Sequence, residues 1–273
     1  MKNKHWILTS FFLILTIGCQ EVIPVELDIA PPKLVVDAFI NWEKNTQGNN
    51  QKIILTTTTD FYANQVPTVS NASVYITNSD NMVFSFYEKD KPGEYICTDF
   101  IPEIEESYTL TIIHDGQTYT ATEKMKSVAP ITDLVQNNEG GILGNSIALK
   151  TFFVDPANEE NFYLFRHDYL DTPKIDYFVG LDTFFNGNTF FSLSRNDKLE
   201  KEDKVAITHF GISKQHFNYL RILLNIAGSS GGAPFSSPSA TVRGNVVNNT
   251  DINNYPLGYF SLSETSTINY TIK

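Results

Sequence analysis

SYTLTIIHDGQTYTATEK, residues 107–124, decides what kind of molecule this is. Tyr108, Leu110 and Ile112 alternate with Thr109 and Thr111, the period of two that gives a strand one apolar and one hydroxylated face. Asp115-Gly116 supplies the two residues that tolerate positive φ in a tight hairpin, and Thr118–Thr122 carries the chain back. The segment is therefore a β-hairpin with one buried face. Working outward, the same pattern recurs at Lys33–Ile40, Lys52–Thr58, Ala72–Thr77, Met82–Tyr87 and Glu94–Thr98, each rich in Val, Ile, Thr, Tyr or Phe. Seven strands in under 100 residues predict an immunoglobulin-like β-sandwich over 33–128. It lacks the Cys–Trp–Cys core of antibody domains, so only the architecture is implied.

Ser127–Pro130 reads as a domain boundary, because Pro130 interrupts strand pairing. Residues 129–273 are expected to form a second β-rich, sandwich-like domain. Its strands are predicted at Ile147–Val154, Phe162–Tyr169, Thr189–Leu193, Lys204–His209, Thr241–Val247, Tyr259–Ser263 and Ile268–Ile272. One helix, near 213–227, breaks the series. Ser213 is its N-cap, Phe217, Leu220, Leu223, Leu224 and Ala227 follow at helical spacing, and Gly228 ends it. Tyr219, Ile222 and Ile226 widen the apolar arc, so this helix is expected to be largely covered. Between Phe152 and Phe191 lie 12 aromatic residues, including the adjacent pairs Phe152-Phe153, Tyr177-Phe178, Phe184-Phe185 and Phe190-Phe191. Neighbours on a strand point to opposite faces, so a one-sided core takes one ring of each pair. The other ring is either packed under another element or part of a contact surface.

Composition narrows the function classes. The chain of 273 residues has 20 Lys plus Arg against 31 Asp plus Glu, a net charge of −11, which opposes contact with a phosphate backbone. No nucleic-acid partner is expected. Two cysteines and five histidines leave little for a disulfide framework or a zinc site. At the N-terminus, Lys2 and Lys4 precede an apolar run from Trp6 to Ile17 that closes on Gly18-Cys19. That is a secretory signal, too short to span a bilayer. A small residue before a cysteine at the end of such a run looks like a bacterial lipobox, which makes Cys19 the expected lipidation site and residues 1–18 a signal peptide. Cleavage removes two lysines and no acid, taking the net charge from −11 to −13 over 255 residues. Residues 19–32, with Pro24, Pro31 and Pro32, read as an extended tether that reaches up to about 40 Å from the lipid. Gln20 after the cysteine fits outer-membrane delivery; the periplasmic and surface faces both stay open.

Catalytic chemistry is mostly missing from the sequence. There is no GxSxG elbow, HExxH pair, Walker loop or EF-hand loop. Gly228 to Gly232 follows a helix and lacks a phosphate-binding lysine, so it reads as a flexible connection. His167, Asp168 and Asp171, or His209 and His216, are the metal-ligating candidates, and neither set makes a ligand group of recognisable spacing. Cys97 lies in an alternating stretch without a nearby histidine and is read as a buried small hydrophobe. Asp197, Glu200, Glu202 and Asp203 are interleaved with Arg195, Lys198, Lys201 and Lys204, the mark of a solvated loop. Arg243 is read as a structural ion pair, with a place in a binding loop as the alternative. No cofactor, metal or catalytic residue is expected, and the chain is read as a non-enzyme.

The ordered set KLVVDAFI (33–40), NASVYITN (71–78), KPGEYIC (91–97), SYTLTI (107–112), GQTYTA (116–121), VAPITDL (128–134), FNGN (185–188), GISKQHFNYL (211–220), PFSSPSATVRGNVV (234–247) and PLGYFS (256–261) resembles a Bacteroidota lipoprotein family, domain of unknown function 4249. The resemblance spans nearly the whole mature chain. It implies an outer-membrane lipoprotein, commonly encoded beside a TonB-dependent transporter, and supplies no catalytic residues. The expected role is an accessory or substrate-binding component of a TonB-dependent transport system, partnered by the outer membrane through the lipid and by a TonB-dependent receptor. The alternative is a cell-envelope structural or adhesive module.

Overall fold

The computed structural model describes residues 31–60, 63–141, 144, 146–229 and 242–273. Cys19, the expected signal peptide and nearly all of the expected tether lie outside them. Residues Pro32–Lys273 form one compact unit, mainly β. In the first half, β1 (Leu34–Glu43), β2 (Gln51–Thr57) and β5 (Glu94–Cys97) make one layer. β3 (Ser73–Asn78), β6 (Ser107–His114) and β7 (Gln117–Lys124) make the other, and β4 (Val83–Glu88) pairs with β3 and, at its end, with β5. Asp115 and Gly116 turn the β6–β7 hairpin at φ 47° and 69°, as the dipeptide predicts. The apolar parity of each strand points inward: Val36, Ile40, Ile53, Leu55, Ile76, Tyr108, Leu110 and Ile112 are all buried in one core. Cys97 belongs to it, with its thiol 3.1 Å from Asp99 Oδ1 and pushed up to about 11, chiefly by burial.

The second half has two layers as well. β10 (Phe162–Tyr169), β11 (Ile175–Leu181), β13 (Lys204–Ile212) and β15 (Leu257–Thr271) extend the first layer in the order β11-β10-β13-β15-β1. β8 (Ile131–Gly140), β9 (Ser146–Val154) and β12 (Thr189–Asn196) form a separate three-stranded sheet in the order β12-β9-β8. Phe153, Tyr163, Phe165, Phe185, Val205 and Ile207 fill the space between them. The opposite face of β10 and β13, carrying Phe162, Leu164, Phe210 and Ile212, packs on Phe217 and Leu220 of α1 (Lys214–Ser229). Ser213 caps that helix, accepting from the His216 amide at 3.1 Å.

Several expectations are corrected. The predicted strands Tyr259–Ser263 and Ile268–Ile272 are one 15-residue strand, β15, which runs parallel to β1 along its first part and antiparallel to β13 along its last. β8 and β11 were not predicted, and of the expected Thr241–Val247 strand only the two-residue β14 (Val247–Asn248), paired to β7, is formed within the described residues. Helix α1 is covered over its first turns only, with Ile222 and Leu223 exposed.

Candidate functional site

The site follows from strand parity. In β10, Phe162 and Leu164 face the helix, so Tyr163, Phe165, His167 and Tyr169 face the three-stranded sheet. Pairing sets Phe178 of β11 opposite Phe165 and Asp176 opposite His167, on that same inner face. On β12 the inner residues are Phe190, Ser192, Ser194 and Asn196. The interior of this sandwich therefore changes along its length. One end is a stack of rings, with Phe185 on Phe190 at 3.9 Å and His209 on Phe165 at 4.1 Å. The other end, between the edge strands β11 and β12, is polar.

There Tyr169 Oη donates to Asp176 Oδ2 at 3.0 Å, so the Ser194 hydroxyl, 2.8 Å away, donates to Tyr169. Burial pushes the Tyr169 phenol up to about 12. Lys174 Nζ lies 2.9 Å from the same Asp176 oxygen. His167 is 1% exposed, and burial holds its imidazole down to about 4 against the opposing pull of Asp176 and Asp168. It is neutral at pH 7. Its one N–H is held by the Asp176 backbone, and Nε2 is buried with no partner. A cleft of ≈ 220 Å³ opens here, lined by His167, Asp176, Ser194, Leu193 and Arg195, with Tyr177 and Phe178 at its rim. Those two rings are 44% and 53% exposed, an unusual condition for adjacent aromatics on one strand.

The other sequence candidates fall elsewhere. Asp168 turns away from His167 to pair with Arg166 at 2.6 Å, and Asp171 accepts from the Lys204 amide at 2.7 Å. His209 and His216 occupy separate aromatic stacks, the first on Phe165 and the second on Tyr259 at 4.5 Å. Among the described residues no three His, Cys, Asp or Glu side chains converge to hold a metal. Of the charged run at 195–204, Asp203 caps its own turn by accepting from the Glu200 amide. Arg243 forms no ion pair among the described residues, where its guanidinium lies over the Tyr255 ring at 3.8 Å in a cation–π contact. Sequence reasoning missed Asp176 and Ser194; it singled out the Tyr177-Phe178 pair but not its place beside His167.

The aromatic pairs divide as the strand rule requires. Phe153, Phe185 and Phe190 turn inward, while Phe152 and Phe191 meet on the outer face of the three-stranded sheet with centroids 5.5 Å apart. Phe184 is 97% exposed. It rides on the turn of the FNGN stretch, which two buried carboxylates brace: Asp155 accepts from Tyr163 Oη at 2.5 Å and the Gly187 amide at 2.9 Å, and Asp182 from the Asn161 amide at 2.9 Å.

The profile of the family described as Domain of unknown function (DUF4249) matches residues 20–269. A search of curated proteins gives no match. Among solved structures the chain is similar to a two fibronectin type-III domain segment from chicken tenascin, at 11% identity and TM-score 0.21 over 66% of this chain and 90% of that one. A cytokine receptor complex is similar at 8% identity and TM-score 0.26 over 67% and 86%.

Proposed function

The chain belongs to the DUF4249 family, and on that premise we propose that it is a non-enzymatic, lipid-anchored protein of the outer membrane that serves a TonB-dependent transport system as an accessory or substrate-binding component. The observation that carries this reading is Cys19 at the end of a signal-like apolar run, 13 residues before a compact unit that starts at Pro32. A thiol placed there is spent on lipid, and more than one acyl chain makes anchoring stable at about 0.8 kcal/mol per buried methylene. The folded unit then offers a ligand-sized cleft and exposed aromatic rings.

The test has two arms. Cys19→Ser is expected to move the protein from the membrane to the soluble fraction while its thermal midpoint stays unchanged. Pull-down of the native protein from solubilised membranes is expected to bring a TonB-dependent receptor with it. Recovery without any such receptor overturns the transport role. A second reading, an adhesive envelope module, draws on Phe184, a fully presented ring on a braced turn. Protease shaving of intact cells separates the two: a chain protected on the periplasmic face has no adhesive role.

A further inference from the structure

The polar end of the second sandwich is an anomaly of packing. The space between two sheets is ordinarily apolar, and a buried polar atom left without a partner costs about 1–3 kcal/mol. Three such atoms occur here. His167 Nε2 is one; Thr151 Oγ1 and Ser192 Oγ, on cross-strand neighbours of the inner face, are the others. Tyr169 meets Ser194 at one end of β10, and Tyr163 reaches Phe185, which stacks on Phe190, at the other. His167 therefore lies at the level of Ser192 and Ser194, beside the cleft that it lines.

We propose that the cleft between β11 and β12 binds a neutral, hydroxyl-rich ring of about monosaccharide size, its apolar face against Phe178 with Tyr177 at the rim, and its hydroxyl edge toward His167, Asp176 and Ser194. The groups that face the cleft select this class. His167 Nε2 and the Asp176 carboxylate only accept, and the Lys174 ammonium, 2.9 Å from Asp176, only donates. A hydroxyl does both, so one polyol edge satisfies all of them. An ammonium ligand finds its carboxylate already paired with Lys174 at 2.9 Å. A carboxylate ligand meets Asp176 and the imidazole lone pair. The half-exposed Phe178 ring supplies what the C–H face of a sugar packs against. The volume of ≈ 220 Å³ is room for about seven waters at about 30 Å³ each, which suits one sugar unit and is below the ~300–1,000 Å³ of larger ligand sites.

This site deepens the binding role proposed above and fails separately from it: a cleft that takes no sugar leaves receptor copurification as it stands, and the converse holds too. The experiment is a titration of the ¹⁵N-labelled full chain with methyl glucopyranoside, methyl mannopyranoside and N-acetylglucosamine, read through the imidazole nitrogens. At least one sugar is expected to shift the His167 signal saturably while those of His209 and His216 stay in place. Phe178→Ala is expected to weaken that binding by about tenfold with the thermal midpoint unchanged, since its ring is half exposed. No saturable shift across the three sugars overturns the proposal. So does a shift that survives Phe178→Ala at full affinity, or one produced by benzylamine or benzoate but by no sugar.

Discussion

His167, His209 and His216 share a condition that decides how the protein meets acid. All three are buried, and burial pushes them down to about 4, about 3 and about 3. His209 stacks on Phe165 and has Nδ1 3.0 Å from the Ala129 carbonyl; His216 lies between Tyr259 and Phe39 with neither nitrogen partnered. In the unfolded chain a histidine titrates near 6.5. Below that pH the unfolded state takes up protons that the folded state refuses, so stability is complete above about 6.5 and is lost as pH falls toward the folded values. Between pH 7 and 5 the carboxylates whose pKa is lowered, Glu88, Glu105 and Glu106, stay ionised, and Asp37, raised chiefly by burial, works against the histidines as pH falls. The urea midpoint is expected to fall across that window, and His216→Phe to make the fall shallower by about one histidine's share. A midpoint that is flat between pH 7 and 5 sinks the argument. Composition alone leaves little for a metal site, with five histidines in the chain. Which of them faced a cleft depended on the pairing of β10 with β11, and β11 carries no readable alternation.

The least legible element is also the one that joins the two halves. β15 reads as two short strands in sequence because Glu264-Thr265-Ser266 interrupts its apolar pattern. In the structure these polar residues are spoken for: Glu264 pairs with Lys44 at 2.7 Å and accepts from the Val128 amide, and Thr265 donates to Glu43 at 2.8 Å. Edge strands β8 and β11 were hidden for a related reason. Being partly solvated on both faces, they lack the period-two contrast that β6 and β7 display. Near its start β15 needs a glycine. Gly258 sits at φ +91°, and a Cβ there falls 1.9 Å from the Val36 carbonyl of β1. Gly258→Ala is expected to cost about 3 kcal/mol, from backbone strain of about 1–3 kcal/mol and a displaced β1 partner. Gly116→Ala is the control, since Gly116 also has positive φ but an added Cβ meets open space. Urea unfolding of the two variants checks it, and equal losses would mean that the parallel β1–β15 contact is looser than its geometry.

β15 contributes to both cores. Its first half puts Phe260 and Leu262 into the core of the first sandwich, and its last residues, with Ile272, close the second. The segment read from sequence as a boundary is itself interior: Val128 and Ala129 are buried, and Lys126 bridges to Ser263 of β15. Proline and a change of pattern mark a linker only where the backbone on either side is solvated. Here the Val128 amide is tied to Glu264, which lies on the strand shared by both cores. A fragment ending at 128 lacks Phe260 and Leu262 and leaves β1 as an unpaired edge with Val36, Ala38 and Ile40 beside it. Losing two fully buried side chains of this size costs about 3–6 kcal/mol by area alone, comparable to the whole stability of a small domain. The fragment 33–128 is therefore expected to give a collapsed amide spectrum. In the intact protein, Leu262→Ala in the first core and Ile207→Ala in the second are expected to lower the same single urea transition by about 2–5 kcal/mol each. Two resolved transitions, with each substitution moving only its own, would show that the two cores stand independently despite the strand they share.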